Sequence, residues 1–238
     1  MLSNDVPQPH WSFSLYRELE KRLSFNMAGL LGEEMAMSMS QYIEPLRTGE
    51  ILWHVSCWDS ELAYSIARII HSMSSIVVYD KDKQIQIRLA RYTSKELTDD
   101  GLASEFLLAT DAVRLMGVRV ITPALHKSEG KYLLFPSIDL IYYSILGRCQ
   151  IFNDRFSLRD PSLINEIIKQ TRIWQYELRT VPYEINGSNV VGYRGAFQVH
   201  FDGDDEVARL SGLILSLAKY TGIGLKTPEG MGACNIVF

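Results

Sequence analysis

The sequence predicts an α+β fold of two tandem ferredoxin-like (RRM-like) domains, residues 1–114 and 115–238, with a glycine-rich loop close to the C-terminus. Three observations carry this. Alternating β runs come in hairpin pairs that outnumber strand-helix-strand crossovers, each half places amphipathic helices among them, and the second half repeats the mixed alternation of the first. Hydrophobic residues at 47% and charged residues at 22% supply a core and a solvated surface in ordinary globular proportion.

In the first half, SLYRELEKRLSFNMAGLLGEEMAMS (14–38) sets Leu15, Leu19, Leu23, Met27, Leu30 and Leu31 at three- and four-residue steps, a helical face interrupted near Gly29 and Gly32. QYIEPL and ILWHVSCW read as two strands around a glycine turn. Asp59-Ser60-Glu61 offers an N-cap to LAYSIARIIHSM, and SIVVYDKDKQIQIRLARY reads as two β runs joined by Asp80-Lys81-Asp82-Lys83. With Trp11 to Phe13 as a first strand, the order is β, α, β, β, α, β. Residues 95–112 are polar and helical at best.

In the second half, VRVITPAL is a strand, SEGK a turn, and SIDLIYYSILGRCQIF an apolar helix after Pro136. Asp160-Pro161 caps and opens SLINEIIKQTR. WQYELRTVPYEI and VVGYRGAFQVHF flank Asn186-Gly187-Ser188, a strong hairpin signal. DDEVARLSGLILSLAKY puts Val207, Leu210, Leu213, Ile214 and Leu217 on one face, with acids in its first turn and Lys219 in its last. ACNIVF is the final strand.

A formal net charge of −4 means that a nucleic-acid partner would be held by local basic groups, not by an overall positive field. Cys57, Cys149 and Cys234 form neither a metal-ligand cluster nor an even disulfide framework and read as buried thiols. The sequence has neither a basic segment leading into an apolar run at its start nor about 18 consecutive apolar residues, which predicts a cytoplasmic protein with no membrane span.

Between the last helix and the last strand lies TGIGLKTPEGMG, with Gly222, Gly224, Gly230 and Gly232 around Lys226 and Thr227. Such loops often cradle phosphate on backbone amides. A nucleotide-binding P-loop is excluded, because Leu225 precedes Lys226 and a strand follows. The dinucleotide fingerprint is excluded because Gly222-Ile223-Gly224 follows a helix. A tight helix-to-strand turn, with Gly222 as C-cap and Pro228 as a stop, is the plain alternative.

LAKYTGIGLKTPEGMG resembles, step for step, the helix end, glycine loop and last strand of the CRISPR repeat-processing endoribonucleases, the sixth CRISPR-associated protein family. VRVITPALHKSEGKYLLFPSIDLIYYSILGRC, YELRTVPYEI with VVGYRGAFQVHF, and QYIEPLRTGEILWHVSCWDSELA are similar to further segments of that family in order and spacing. The resemblance covers roughly residues 40–238. It implies tandem ferredoxin-like domains and binding of a CRISPR repeat stem-loop. It also implies cleavage without metal or cofactor by 2′-hydroxyl attack, leaving a 2′,3′-cyclic phosphate. The product would stay on the protein as part of a surveillance complex with other Cas proteins. The alternatives are a non-catalytic RNA-binding subunit of such a complex and an unrelated two-domain α+β binding module.

Many members carry a catalytic histidine between the first helix and the following strand. GLLGEEMAMSMSQYIEPL has none there, only Glu33, Glu34, Met35 and Ser38, so that role is not carried over. The substitutes are Tyr16 and Lys21 on the first helix, beside Arg17, and His10 just before it; a solvated helix face and a mobile terminal residue are the plain readings. His54, His71 and His200 read as packing or surface residues.

For RNA contact the candidates are Gly222, Gly224, Lys226, Thr227, Gly230 and Gly232 in the loop, Arg194 between Gly192 and Gly195, and Lys127 beside His126. Arg148, Arg155, Arg159, Lys169, Arg172 and Arg179 add local charge, interleaved with Asp154, Asp160, Glu166 and Glu177. Tyr132, Tyr193 and Tyr220 offer rings for stacking or for the core.

Overall fold

The computed structural model describes residues 7–26, 38–80, 83–96, 98–109, 111–149 and 160–238. It is α+β, and the chain divides into two compact units. The first comprises residues 1–94 with 182–190 and 226–231; the second comprises 95–181, 191–225 and 232–238.

The first unit opens with helix α1 (Trp11–Asn26). Trp11 to Phe13, expected as a strand, are its first turn: Trp11, Leu15, Leu19 and Leu23 recur every four residues, and all four are buried. Strands β1 (Met39–Pro45) and β2 (Ile51–Cys57) pair antiparallel with Ile43 opposite Trp53. Helix α2 (Ser60–Ser72) starts where the Asp59 carboxylate accepts from the Leu62 amide at 2.7 Å, as its capping sequence predicts. Strands β3 (Ser75–Asp80) and β4 (Lys83–Arg88) form a second antiparallel pair with Val78 opposite Ile85. The buried side of α1 closes over Met39, Ile43, Ile66, Ile76 and Val78.

In the second unit, α3 (Asp99–Leu107) contributes Phe106 to the core, so residues 95–114 belong here. The elements that follow are β5 (Leu115–Ala124), the hairpin β6 (His126–Ser128) and β7 (Lys131–Leu133), α4 (Ile138–Leu146), α5 (Pro161–Lys169), β8 (Thr171–Ile185), β9 (Ser188–Phe201), α6 (Asp205–Thr221) and β10 (Cys234–Val237). The sheet order is β10-β5-β9-β8; β5 is antiparallel to both its neighbours, with Val118 opposite Phe197 and Cys234 opposite Val120. Asn186 and Gly187 turn the β8–β9 hairpin with φ of 50° and 75°, the left-handed pair that the Asn-Gly signal requires. Helix α6 is capped by the Asp204 carboxylate on the Val207 amide at 2.9 Å and buries Leu213, Ile214 and Leu217. No helix among the described residues is long and apolar enough to cross a membrane.

Candidate functional site

The chain leaves α6 at Gly222, whose φ of 66° ends the helix and whose amide donates to Ala218 at 2.9 Å. In the second unit the loop is then tied down at every step. The Gly224 amide donates to Ser144 Oγ at 3.2 Å, and the Leu225 amide to the Leu125 carbonyl at 2.7 Å. The Ile223 amide donates to Gly232, whose own amide donates to Pro123, each at 2.9 Å. A Cβ on Gly224 would lie 2.3 Å from the Leu125 carbonyl oxygen, and one on Gly232 would lie 2.1 Å from that of Ile223. The close approach that these two glycines permit is to the protein's own backbone.

Arg148, read from the sequence as surface charge, is turned inward. Its guanidinium donates to the carbonyls of Ser144 at 3.0 Å and Gly224 at 2.5 Å, and burial pulls its pKa down to about 10. Beside the loop, His126 is buried and shares a 2.8 Å hydrogen bond with the Tyr193 hydroxyl. Burial, reinforced by Arg148 and opposed by Asp139, lowers its pKa to about 4. The unfolded chain therefore takes up a proton below about pH 6.5 that the folded chain refuses. Stability should be full above that pH and fall by about 3 kcal/mol as pH drops towards 4. Urea titrations between pH 7 and 4.5 check this, and His126→Gln should flatten the dependence.

Residues 226–231 form a turn within the first unit. Lys226 is left-handed at φ 61°, and its carbonyl accepts from the Glu229 and Met231 amides, each at 3.1 Å. Its ammonium pairs with the Glu229 carboxylate at 2.8 and 3.1 Å. Thr227 is buried, and its hydroxyl has no hydrogen-bond partner among the described residues. Gly230, at φ 99°, leaves room for Ser12 and Tyr183; a Cβ there would sit 2.3 Å from Ser12 Cβ and 2.4 Å from the Tyr183 hydroxyl.

The turn is held by groups that sequence reasoning missed. Gln41, buried on β1, donates from Nε2 to the carbonyls of Pro228 at 2.7 Å and Ser12 at 2.8 Å, and its Oε1 accepts from Trp53 Nε1 at 2.9 Å. Its amide donates to the Thr227 carbonyl at 3.2 Å. The Tyr183 hydroxyl donates to the Pro9 carbonyl at 2.9 Å, and Ser12 Oγ accepts from the Ile43 amide at 3.2 Å. A glutamine in an alternating strand reads as outward-facing, so only the fold reveals it.

Of the candidate catalytic groups, Tyr16 lies on the buried side of α1. Burial, then Glu20 and Glu229, push its phenol up to about 12, so it keeps its proton at neutral pH. His10 Nε2 stands 3.4 Å from Asp80 Oδ1, while Trp11 Nε1 donates to Asp80 Oδ2 at 3.1 Å. One carboxylate thus holds both residues at the mouth of α1. Lys21 is exposed; five residues on from Tyr16, it is turned by roughly 140° around the helix, so the two do not converge.

Lys127 is exposed over the Tyr132 ring at 5.8 Å, and Arg194 is exposed on β9. Glu33, Glu34, Met35, Asp154, Arg155 and Arg159 lie outside the described residues.

The family model for the CRISPR-associated endoribonuclease Cas6 matches residues 118–234, the stretch from β5 through the loop to β10. The Cas6 endoribonuclease of Mycobacterium tuberculosis is 24% identical over 199 residues, 83% of this chain and 62% of that protein. That of Streptococcus thermophilus is 24% identical over 115 residues, 48% of this chain and 47% of that protein. The chain therefore spans less than two thirds of the length of these relatives. Among solved structures, a Cas6 product complex superposes with a TM-score of 0.73 at 18% identity, covering 98% of this chain and 94% of that one. Thermus thermophilus Cas6 gives 0.64 at 20% identity over the same shares. The α+β fold is the one these solved structures share. Residues 118–234 match the Cas6 family, and the fold is shared with Cas6 structures.

Proposed function

We propose that this protein binds a CRISPR repeat stem-loop and cuts the precursor RNA by metal-independent attack of a 2′-hydroxyl, leaving a 2′,3′-cyclic phosphate. It then stays on the 3′ hairpin of the product as a cytoplasmic subunit of a surveillance complex with other Cas proteins. The match of residues 118–234 to the Cas6 family carries this reading. The sheet order β10-β5-β9-β8, which is 4-1-3-2 when these four strands are counted in chain order, supports a ferredoxin-like second domain.

In this reading Lys226 and the amides of its turn contact the RNA backbone, with Lys127 and Arg194 as further contacts. The glycines shape the loop by letting it pack on itself, and Thr227 supports it from within. His10, oriented by Asp80, is the proton-transfer group, Tyr16 a donor and Lys21 a phosphate contact. Single-turnover cleavage of the repeat RNA tests these roles. His10→Ala is expected to slow cleavage by about 10²-fold with affinity retained, whereas a wild-type rate in His10→Ala removes His10 from the chemistry.

The second reading, an RNA-binding subunit that does not cut, is favoured by one observation: among the described residues Tyr16 lies on the buried side of α1 and Lys21 on an exposed one, so these two do not converge. Tight binding of the repeat with no product would support it.

A further inference from the structure

We propose that the outer face of edge strand β8 is a second RNA site, which takes single-stranded RNA by stacking unpaired bases on Trp174 and Tyr176. The proposal rests on the RNA reading above but concerns surface remote in sequence from the glycine loop.

Helices α4, α5 and α6 and the buried side of the sheet enclose the second unit's core, with Phe197 and Val199 of β9 and Val118 and Val120 of β5 facing inward. The alternate residues therefore face outward. On β8 these are Arg172, Trp174 and Tyr176, while Ile173 packs against the core. Trp174 is 58% exposed, Tyr176 59% and the neighbouring Phe135 47%. Three large rings left in water on one face need a partner more than scattered apolar residues do.

The rings are also held in place. The Arg172 guanidinium lies 5.1 Å from the Trp174 ring centroid, and the His200 ring packs on it at 5.5 Å. Asp202 Oδ1 forms an ion pair with Arg172 Nη2 at 3.0 Å and lies 3.0 Å from His200 Nδ1. Tyr176 meets Phe135 edge to face at 5.0 Å. A platform fixed before its ligand arrives has little ordering entropy left to lose.

Charge selects the occupant. Arg119 of β5 and Arg194 of β9 are exposed on the outward positions of the adjoining strands, and Arg119 lies opposite Ala196. Arg172 lies over the Trp174 ring, and Arg119 and Arg194 add two exposed guanidiniums on outward positions of the same sheet. Of the nearby acids among the described residues, Asp202 is engaged by Arg172, and Glu177 follows Tyr176 on β8. Rings interleaved with arginines suit a polyanion whose bases stack, and single-stranded RNA is such a ligand. Trp174 and Tyr176 are two residues apart, about 6.7 Å along the strand, which gives room for two bases unstacked from one another.

The test uses the full chain and fluorescein-labelled decauridylate and decaadenylate, neither of which forms a hairpin, beside a repeat stem-loop trimmed of flanking nucleotides. Anisotropy is expected to show that Trp174→Ala weakens decamer binding by about tenfold, while Trp174→Phe, which keeps a stacking ring, stays within about threefold. The trimmed stem-loop should bind both variants as it binds the wild type. Decamer binding should also quench tryptophan fluorescence in the wild type and not in Trp174→Phe. Decamer binding that depends on Trp174 upholds the site even if the stem-loop does not bind, an outcome that would end the hairpin reading alone. The site is overturned if the wild type ignores decamers, if Trp174→Ala binds them as the wild type does (leaving the face to a protein partner), or if the Phe and Ala variants lose binding equally with circular dichroism unchanged.

Discussion

Replacing Gly232 with alanine should cost the second unit more than ~3 kcal/mol. The residue sits at φ 71°, where an L side chain is strained, and its new Cβ would lie 2.1 Å from the Ile223 carbonyl oxygen. That carbonyl is backbone, so relief requires the loop itself to shift. Both polar groups of Gly232 are engaged, the amide on Pro123 and the carbonyl by Ile223, so a shift also breaks the seam between the loop and the end of β5. Gly130 is the matched control: φ is 79° and nothing lies within 4 Å of its missing Cβ, so alanine there should cost only about 1 kcal/mol. Urea midpoints of the two variants separate steric closure from backbone strain; equal losses would show that the loop yields.

Gln41→Leu is expected to lose about 2 to 4 kcal/mol, because it strips partners from Ser12, Pro228 and Trp53 at one stroke and leaves buried polar groups unpaired. Leucine fills the space, so the loss reports hydrogen bonding rather than a cavity. The effect should be local: amide exchange of residues 226–231 should quicken while that of α6 is unchanged. Since those residues present Lys226, affinity for the repeat stem-loop should fall with it. Unchanged exchange in this turn would show that Gln41 does not hold it.

Much of this architecture is legible in the sequence because its signals are local. The Asn186-Gly187 turn, the Asp59 and Asp204 caps and the period of α6 each depend on neighbours within a few residues. The strand expected at Trp11 failed for a local reason as well: its residues join the four-residue period that runs on through Leu15 and Leu19, and the pattern is helical once Trp11 is counted. Thr171 opens β8 three residues before the expected start, because its hydroxyl bonds to Ile167 across the helix end and the chain straightens at once.

The site was less legible because its determinants are distant. Gln41 finds Pro228 across 187 positions, and nothing near either residue announces the pair. Arg148 has the spelling of a surface cation and is turned inward, half-buried, onto carbonyls. The loop glycines are visible as a motif, but whether they admit a ligand or the protein's own backbone depends on what the fold brings against them, and at Gly224, Gly230 and Gly232 that is Leu125, Ser12 and Ile223.

The central claim, that this chain binds a repeat stem-loop and cuts it through the RNA's own 2′-hydroxyl, is tested most directly with the repeat RNA of its own locus in the presence of EDTA. A parallel strand carries a single 2′-deoxy nucleotide at the cleavage position. The account predicts tight binding of both strands and cleavage of the all-ribose strand alone, with a cyclic phosphate at the new 3′ end. Cleavage of the deoxy strand, or failure to bind either, would contradict it.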